Sequence, residues 1–166
     1  MLLYPKLYYK NVQSIDLDEL DRLKIRGIIL DVDNTLIDYK RIMPDEVKTW
    51  IEKAKNRNFK VCILTNSNRK DKVTKVASKL NLDYIMAAKK PSKCGYIKVL
   101  DLLKLKPEEC VAVGDQIFTD VIGANRMKIN SIYVEPINKM EYWYTKWKRP
   151  IEAIILNNYK SKLERK

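Results

Sequence analysis

The segment GIILDVDNTLID, at residues 27–38, places Asp31 and Asp33 directly after a run of apolar residues. Other polar side chains end or closely follow three later apolar runs, and these are Thr65, Lys90, Asp115 and Asp120. Carboxylates that are brought together away from water repel one another, so their pKa values rise unless a cation lies between them. Mg²⁺ suits such a site because it prefers oxygen ligands and keeps waters and phosphate oxygens around it. These residue types therefore predict a site for Mg²⁺ and a phosphate group.

The carboxylates of this predicted site have different expected roles. Asp31 and Asp115 are the expected direct metal ligands, with the backbone carbonyl of Asp33 between them. Asp120 follows Asp115 by five residues, so we expect it either to contact the metal through water or to hold Lys90. The predicted metal residues are thus Asp31, Asp33, Asp115 and Asp120.

Lys90 and the segment TNSN, which begins at Thr65, form the phosphate side of the predicted site. The Lys90 ammonium can neutralise charge on a transferring phosphoryl group. The Thr65 hydroxyl and the backbone amides of Asn66 and Ser67 can donate hydrogen bonds to it. TNSN also precedes a predicted helix, whose N-terminal amides favour an anion.

The expected reaction needs no histidine, and the chain contains none. Acid–base chemistry at neutral pH must then use carboxylates, lysine, tyrosine or water, which excludes serine–histidine, cysteine–histidine and histidine–zinc mechanisms. With its charge shielded, Asp31 attacks phosphorus to form an aspartyl-phosphate. Asp33 protonates the leaving oxygen and then activates the water that hydrolyses this intermediate.

Apolar runs alternate with amphipathic segments along the chain. Short runs predict five strands, at residues 27–32, 59–65, 84–88, 110–115 and 131–135. Longer segments with helical spacing of apolar residues predict four helices, at 43–58, 69–81, 93–105 and 118–128. This alternation predicts a single α/β domain over residues 1–166, with a three-layer Rossmann-like parallel sheet of about five strands and helices on both faces. Because ligands bind outside the carboxyl ends of parallel strands, the polar side chains are expected to meet at one edge of the sheet.

Composition and charge indicate which molecules the protein attracts and where in the cell it is expected to lie. The 166 residues carry a formal charge of +12, which attracts phosphates, nucleic acid or an anionic membrane. The three cysteines show no metal-ligand spacing, and the first residues do not form the unbroken apolar stretch of a signal peptide. No apolar stretch is long enough for a membrane span. We therefore expect a cytoplasmic protein.

Four segments resemble the motifs of the haloacid dehalogenase (HAD) superfamily, and these are DVDNTL at 31–36, LTN at 64–66, KKP at 89–91 and GDQIFTD at 114–120. Their order and spacing match the superfamily across residues 27–120. The resemblance implies Mg²⁺ as cofactor and a role for each matching residue: Asp31 as nucleophile, Asp33 as general acid and base, Thr65 as phosphate ligand, Lys90 as the lysine before the proline, Asp115 as metal ligand and Asp120 as its companion. An acidic residue at position 33 favours a phosphatase over a dehalogenase or phosphonatase.

Many members of the superfamily carry a cap domain over the site, but the short gaps between the motifs predict no large cap here. Only residues 34–43 separate Asp33 from the first predicted helix, and one helix and one short strand separate Thr65 from Lys90. An open site admits substrates that cannot be enclosed, such as a macromolecule or a lipid headgroup at a membrane.

Residues 3–36 and 114–152 are similar to the YqeG-like branch of the superfamily, with TKWKRPIE at 145–152 as the most distinctive segment outside the site. That branch includes phosphatidylglycerophosphate phosphatases, which remove the terminal phosphate from the precursor of phosphatidylglycerol. The resemblance implies this step of phospholipid biosynthesis, with an anionic phospholipid as partner. Two alternatives stay open: a capless HAD phosphatase acting on a soluble or nucleic-acid phosphomonoester, and a non-catalytic basic module that binds RNA or ribosomes.

The C-terminal segment 140–150 has two interpretations. It interleaves aromatic with basic residues, and these are Tyr142, Trp143, Tyr144 and Trp147 with Lys146, Lys148 and Arg149. Such a segment is typical of an interfacial anchor at the inner face of the cell membrane, although large aromatic residues also pack in cores. The following tail, 150–166, predicts a helix that covers the sheet through a stripe of Ile151, Ile154, Ile155 and Tyr159. Arg126, on the predicted helix after Asp120, is a further candidate for contact with the substrate.

Overall fold

The computed structural model describes residues 2–138 and 147–164 and has the predicted α/β architecture. Its six strands are all parallel and lie in the order β1-β6-β5-β2-β3-β4. The strands are β1 (Leu7–Tyr9), β2 (Gly27–Leu30), β3 (Lys60–Leu64), β4 (Asp83–Ile85), β5 (Cys110–Gly114) and β6 (Asn130–Val134). The helices are α1 (Leu17–Arg22), α2 (Asp45–Asn56), α3 (Lys70–Leu80), α4 (Lys93–Leu103), α5 (Ile122–Arg126) and α6 (Arg149–Glu164).

The sixth strand, β1, is the one that the sequence did not predict. It has three half-buried residues and pairs with β6 through contacts such as Leu7 with Ile132. Its sequence, LYY, is hydrophobic but only three residues long, which is too short for a run or an alternation to indicate a strand, so its pairing depends on the neighbouring strand. The short helix α1 was also not predicted.

The central strands β2 and β5, and most of β6, bury both faces, which explains their continuous apolar sequences. Ile28 and Leu30 of β2 point to the core beneath α1, α2 and α3, while Ile29 between them points to the core beneath α4 and α5. Tyr133 of β6 packs on the same face as Ile29, against residues of α6. The result is the predicted three-layer arrangement with helices on both faces.

The predicted helix at 118–128 divides into two parts. Residues Ile117–Val121 form a π-helical turn, and α5 follows directly. Such turns insert an extra residue into a helix and often occur at functional sites. The π turn returns the Asp120 carboxylate toward the end of β5, where it accepts a hydrogen bond from the Gln116 amide over 3.1 Å. Gly114 permits this approach, since a Cβ atom there would lie 2.3 Å from the carboxylate carbon of Asp120.

Helix α6 covers the sheet as expected, but the stripe predicted from its sequence is correct only for Ile155 and Tyr159. Ile151 and Ile154 are exposed, whereas Glu152 and Tyr159 are buried and Ile155 is half-buried. The inward face is set by Glu152, which accepts a hydrogen bond from the Phe118 amide over 3.1 Å. A buried, hydrogen-bonded carboxylate thus takes the place that periodicity gives to an isoleucine.

Tyr142, Trp143, Tyr144 and Lys146 lie outside the described residues. Across residues 2–138 and 147–164, none of the helices combines the length and the apolar character needed to span a membrane.

Candidate active site

The Lys90 side chain lies at the centre of the polar edge of the sheet. Its Nζ donates to Asp31 Oδ1 over 2.8 Å and to Asp120 Oδ1 over 2.6 Å, and all three side chains are buried. The structure therefore brings together groups from the ends of β2 and β4 and from the π turn after β5. Lys89, its neighbour, is exposed, so Lys90 is the lysine of this pair that reaches the carboxylates.

Asn66 fixes the loop that carries Lys90. The Asn66 Nδ2 donates to the Lys90 carbonyl over 3.0 Å, and the Lys90 amide donates to Asn66 Oδ1 over 2.6 Å. The Asn66 side chain is thus used to position Lys90, and its backbone amide remains the group predicted to meet phosphate. Thr65, which is buried beside it, accepts a hydrogen bond from the Ser67 amide over 3.1 Å.

Asp115 is fully buried at the end of β5 and pairs with a residue from a distant part of the chain. Arg149, the first residue of α6, donates from Nη2 to Asp115 Oδ2 over 2.5 Å and from Nη1 to the Asp115 carbonyl over 2.6 Å. Glu152 accepts from Arg149 over 3.1 Å, and Thr35 donates to Asp115 Oδ1 over 3.3 Å. The start of α6 is therefore part of the site.

Asp33 stands apart from the other carboxylates. Its Oδ1 accepts from Lys72 Nζ over 2.6 Å, and its side chain is more exposed than that of Asp31. Lys72 comes from the first turn of α3 and is itself buried. This ion pair holds the Asp33 carboxylate at the more exposed side of the site.

Burial and mutual repulsion shape the electrostatics of the buried carboxylates. Burial raises the pKa of Asp31 to about 7, although the Lys90 ammonium lowers it. Burial raises the pKa of Asp115 to about 8 against the lowering effect of Arg149, with Asp31 and Asp120 adding to the rise. For Lys90, burial disfavours the ammonium, but attraction to Asp120 and Asp31 outweighs this and raises its pKa. Lys90 and Arg149 therefore supply only two positive charges beside the three carboxylates of Asp31, Asp115 and Asp120.

A divalent cation fits this deficit. Asp31, Asp115 and Asp120 each offer one carboxylate oxygen, and these atoms all lie within 4.8 Å of one another. An all-oxygen donor set without thiol or imidazole suits Mg²⁺. The Asp33 carboxylate is not part of this group, so only its backbone carbonyl, as predicted, remains as a candidate ligand.

Asp31 and Asp33 line a cavity of about 450 Å³, whereas Asp115 and Asp120 lie behind its wall. Five cationic side chains line it, and these are Arg69, Lys72, Lys90, Lys148 and Arg149. Asn34 lines it as well, and its buried Oδ1 has no hydrogen-bond partner within the described part of the chain. An orphaned acceptor in the wall of a charged cavity is expected where a ligand or water completes the site. Arg126 does not line this cavity; its Nη1 donates to the Pro91 carbonyl over 3.2 Å.

Sequence reasoning missed Lys72 and the position of Arg149. Lys72 occupies the first position of a helical stripe that continues through Val76 and Leu80, so a lysine on an inward face was the available signal. The sequence pattern predicts Arg149 as part of an interfacial anchor, whereas in the structure it pairs with Asp115. Its only sequence signal was the distinctive segment at 145–152.

Comparisons with known proteins agree with this geometry. The sequence profile of the haloacid dehalogenase-like hydrolase family matches residues 41–128, which is more than half of the chain. Over 160 residues the chain is 33% identical to the probable phosphatase YqeG of Bacillus subtilis, covering 95% of this chain and 92% of that protein.

Two more distant similarities involve proteins of which the chain spans about half. Glyceraldehyde 3-phosphate phosphatase of Pyrococcus furiosus is 27% identical over 131 residues, which cover 74% of this chain and 53% of that protein. The crystal structure of a HAD phosphatase from Thermococcus onnurineus superposes with a TM-score of 0.51 at 23% identity, covering 61% of this chain and 50% of that chain. The structural likeness shows the shared fold.

Proposed function

The chain belongs to the haloacid dehalogenase-like hydrolase family, and we propose that it is a Mg²⁺-dependent phosphatase that converts phosphatidylglycerophosphate to phosphatidylglycerol. The proposal has two parts. The first is the chemistry of phosphate removal at Asp31, and the second is the choice of a lipid as substrate.

The chemistry is supported by the positions of the two aspartates. Asp31 Oδ attacks phosphorus, and the bond between phosphorus and the leaving oxygen breaks as Asp33 gives that oxygen a proton. Asp33 then takes a proton from water, which attacks the aspartyl-phosphate and releases inorganic phosphate with Asp31 regenerated. Lys90, 2.8 Å from Asp31, holds the nucleophile and offers positive charge to the phosphoryl oxygens.

Bound Mg²⁺ would be held by Asp31 and Asp115, with Asp120 close by, and would neutralise charge on the nucleophile and the phosphate. Thr65 and the amides after it would donate to the phosphoryl oxygens. Lys72 keeps the Asp33 carboxylate turned toward the leaving group.

The observation that carries the choice of substrate is the open, cation-lined mouth of the cavity. No additional domain is inserted after β2 or after β3 in the described chain, so a headgroup attached to a bilayer can enter. Arg69 and Lys148 line this cavity, and neither forms an ion pair within residues 2–138 and 147–164. Phosphatidylglycerophosphate carries a second phosphate, the diester, which Arg69 and Lys148 can bind.

A soluble phosphomonoester is the competing substrate class, favoured by the similarity to glyceraldehyde 3-phosphate phosphatase. The test is Mg²⁺-dependent phosphate release from phosphatidylglycerophosphate in mixed micelles, beside glyceraldehyde 3-phosphate and other soluble phosphomonoesters. An Asp31→Asn variant controls for contaminating phosphatases. Preference for the lipid supports the proposal, and turnover of soluble esters alone would keep the chemistry and overturn the lipid substrate.

A further inference from the structure

Two segments at the site edge of the sheet expose large apolar side chains. In the loop between β2 and α2, Tyr39 and Ile42 are 41% and 59% exposed. At the start of α6, Trp147 and Ile151 are 65% and 44% exposed. Both segments follow the carboxyl ends of parallel strands or contact them, so both lie at the edge that holds Asp31 and not at the opposite one.

A lysine ammonium lies beside each of the two exposed aromatic rings in these segments. Lys40 Nζ lies 5.7 Å from the centre of the Tyr39 ring, and Lys148 Nζ lies 5.4 Å from the Trp147 ring. A ring with an adjacent ammonium presents an apolar body and a cationic tip, which is the combination that suits the headgroup layer of a bilayer. Two unrelated segments thus present the same chemistry on one edge.

Both segments are continuous with the cavity. Asn34, on the loop that leads to Tyr39, lines its wall, and so does Lys148, the neighbour of Trp147. The first segment is also held in place, because Arg41 pairs with Asp71 of α3 over 3.0 Å. Exposed apolar side chains around a cation-lined opening suit contact with a bilayer, whose interior is apolar and whose headgroup layer is anionic.

We infer that Tyr39, Ile42, Trp147 and Ile151, together with Lys40 and Lys148, form a docking surface for the interfacial layer of a bilayer that contains anionic lipid. We call these six residues the mouth surface. The inference rests on the proposed function, since a lipid phosphate reaches Asp31 only if the mouth faces the bilayer. The formal charge of +12 supplies the complementary long-range attraction.

The experiment is a sedimentation assay with vesicles made of equal parts phosphatidylcholine and phosphatidylglycerol. The test protein is an Ile42→Ser/Trp147→Ser double variant, which changes two apolar members of the mouth surface and no residue that lines the cavity. The matched control is Leu2→Ser/Leu102→Ser. These leucines are 51% and 47% exposed and lie near the other edge of the sheet, before β1 and at the end of α4.

We expect the test variant to bind vesicles about tenfold or more weakly than the wild type, because two large apolar side chains no longer leave water. The control variant should bind as the wild type does. Turnover of a small aryl phosphate without lipid should be equal in all three proteins, which shows that each is folded and active.

Three results would overturn the mouth surface as a bilayer-docking site. The first is no vesicle binding by the wild type, and the second is an equal loss of binding in both double variants. The third is a change of oligomeric state in the test variant alone, which would make the patch a contact between two copies.

The proposed function can fail independently of the docking surface. If vesicles bind through the mouth surface but phosphatidylglycerophosphate is not hydrolysed, the substrate is wrong and the docking surface stands. If phosphatidylglycerophosphate is hydrolysed and both double variants bind vesicles as the wild type does, the proposed substrate stands and the docking surface is wrong.

Discussion

Arg149 Nη2 lies 2.5 Å from Asp115 Oδ2, an ion pair that joins the start of α6 to the end of β5. Asp115 is fully buried, and the Arg149 side chain is 20% exposed. A carboxylate in this environment is costly without a partner, so Arg149 supports both the fold and the predicted metal ligand. The C-terminal helix thereby has a direct role at the site edge.

At about pH 9, where Asp115 is ionised, replacement of Arg149 by alanine should destabilise the metal-free protein by about 3 kcal/mol, because a buried carboxylate loses its partner. Added Mg²⁺ should recover part of this loss, since it offers Asp115 another cation. Chemical denaturation with EDTA and with Mg²⁺ measures both effects.

Arg22→Ala is the matched control, because its ion pair with Asp16 over 3.5 Å is exposed. It should change the free energy of unfolding by less than about 1 kcal/mol. Equal effects of the two replacements would show that Arg149 contributes no more than a surface ion pair.

Replacement of Lys72 by alanine should slow turnover about tenfold or more, because Asp33 loses the group that orients it as general acid. The loss should be larger for alkyl phosphates than for p-nitrophenyl phosphate, whose leaving group needs little protonation. Steady-state kinetics on the two substrate types checks this. Lys75→Ala, an exposed lysine of the same helix, should leave both rates unchanged; a loss that is equal for both leaving groups would argue against a role through Asp33.

Asp31→Asn should abolish turnover and remove any covalent phosphoenzyme while the fold is retained, since an amide of the same size cannot attack phosphorus. Acid quenching with radiolabelled substrate detects the acyl-phosphate in the wild type, and thermal unfolding reports the fold. Asp101→Asn, at an exposed position of α4, is the control. Turnover that survives in Asp31→Asn would assign the nucleophile elsewhere.

Stabilisation by Mg²⁺ should grow with pH. The pKa values of Asp31 and Asp115 in the folded, metal-free protein, about 7 and about 8, lie above their ordinary value of 3.8. Between about pH 4 and about pH 8 the unfolded chain therefore binds fewer protons at these two groups than the folded one, so their contribution to stability falls as pH rises across this range and is lost above the folded-state pKa values. Mg²⁺ relieves this cost only where the carboxylates are ionised.

Thermal unfolding midpoints with EDTA and with Mg²⁺, at about pH 6 and about pH 8.5, measure the effect. The Mg²⁺-induced shift should be larger at the higher pH, and Asp31→Asn should reduce the difference. A shift that is the same at both pH values would contradict a metal site built on these two carboxylates.

The sequence was sufficient for the features that depend on local pattern. The strand that ends at Leu30 is apolar throughout because both faces are covered, and that pattern located Asp31 and Asp33 at a sheet edge. The same reasoning at β5 located Asp115. Once the strands are parallel, topology alone brings these ends together, which is why most of the site could be predicted.

What escaped prediction depends on contacts across the fold. Glu152 is buried although its neighbours Ile151 and Ile154 are exposed, since hydrogen bonds to Arg149 and Phe118 outweigh the apolar pattern of α6. The pairing of Lys72 with Asp33 joins residues 39 positions apart. Periodicity describes one element at a time and contains no information on such partners.

The pairing of Arg149 with Asp115 also bears on the order in which the protein is made. All six strands and every residue of the four motifs precede Arg149 in the chain, so they leave the ribosome before it does. A chain that stops ahead of Arg149 would contain all six strands, but it would lack the guanidinium that pairs with Asp115 and the α6 residues that pack beside Tyr133. Loss of residues that follow all four motifs would therefore disturb both the centre of the site and the cover of the sheet.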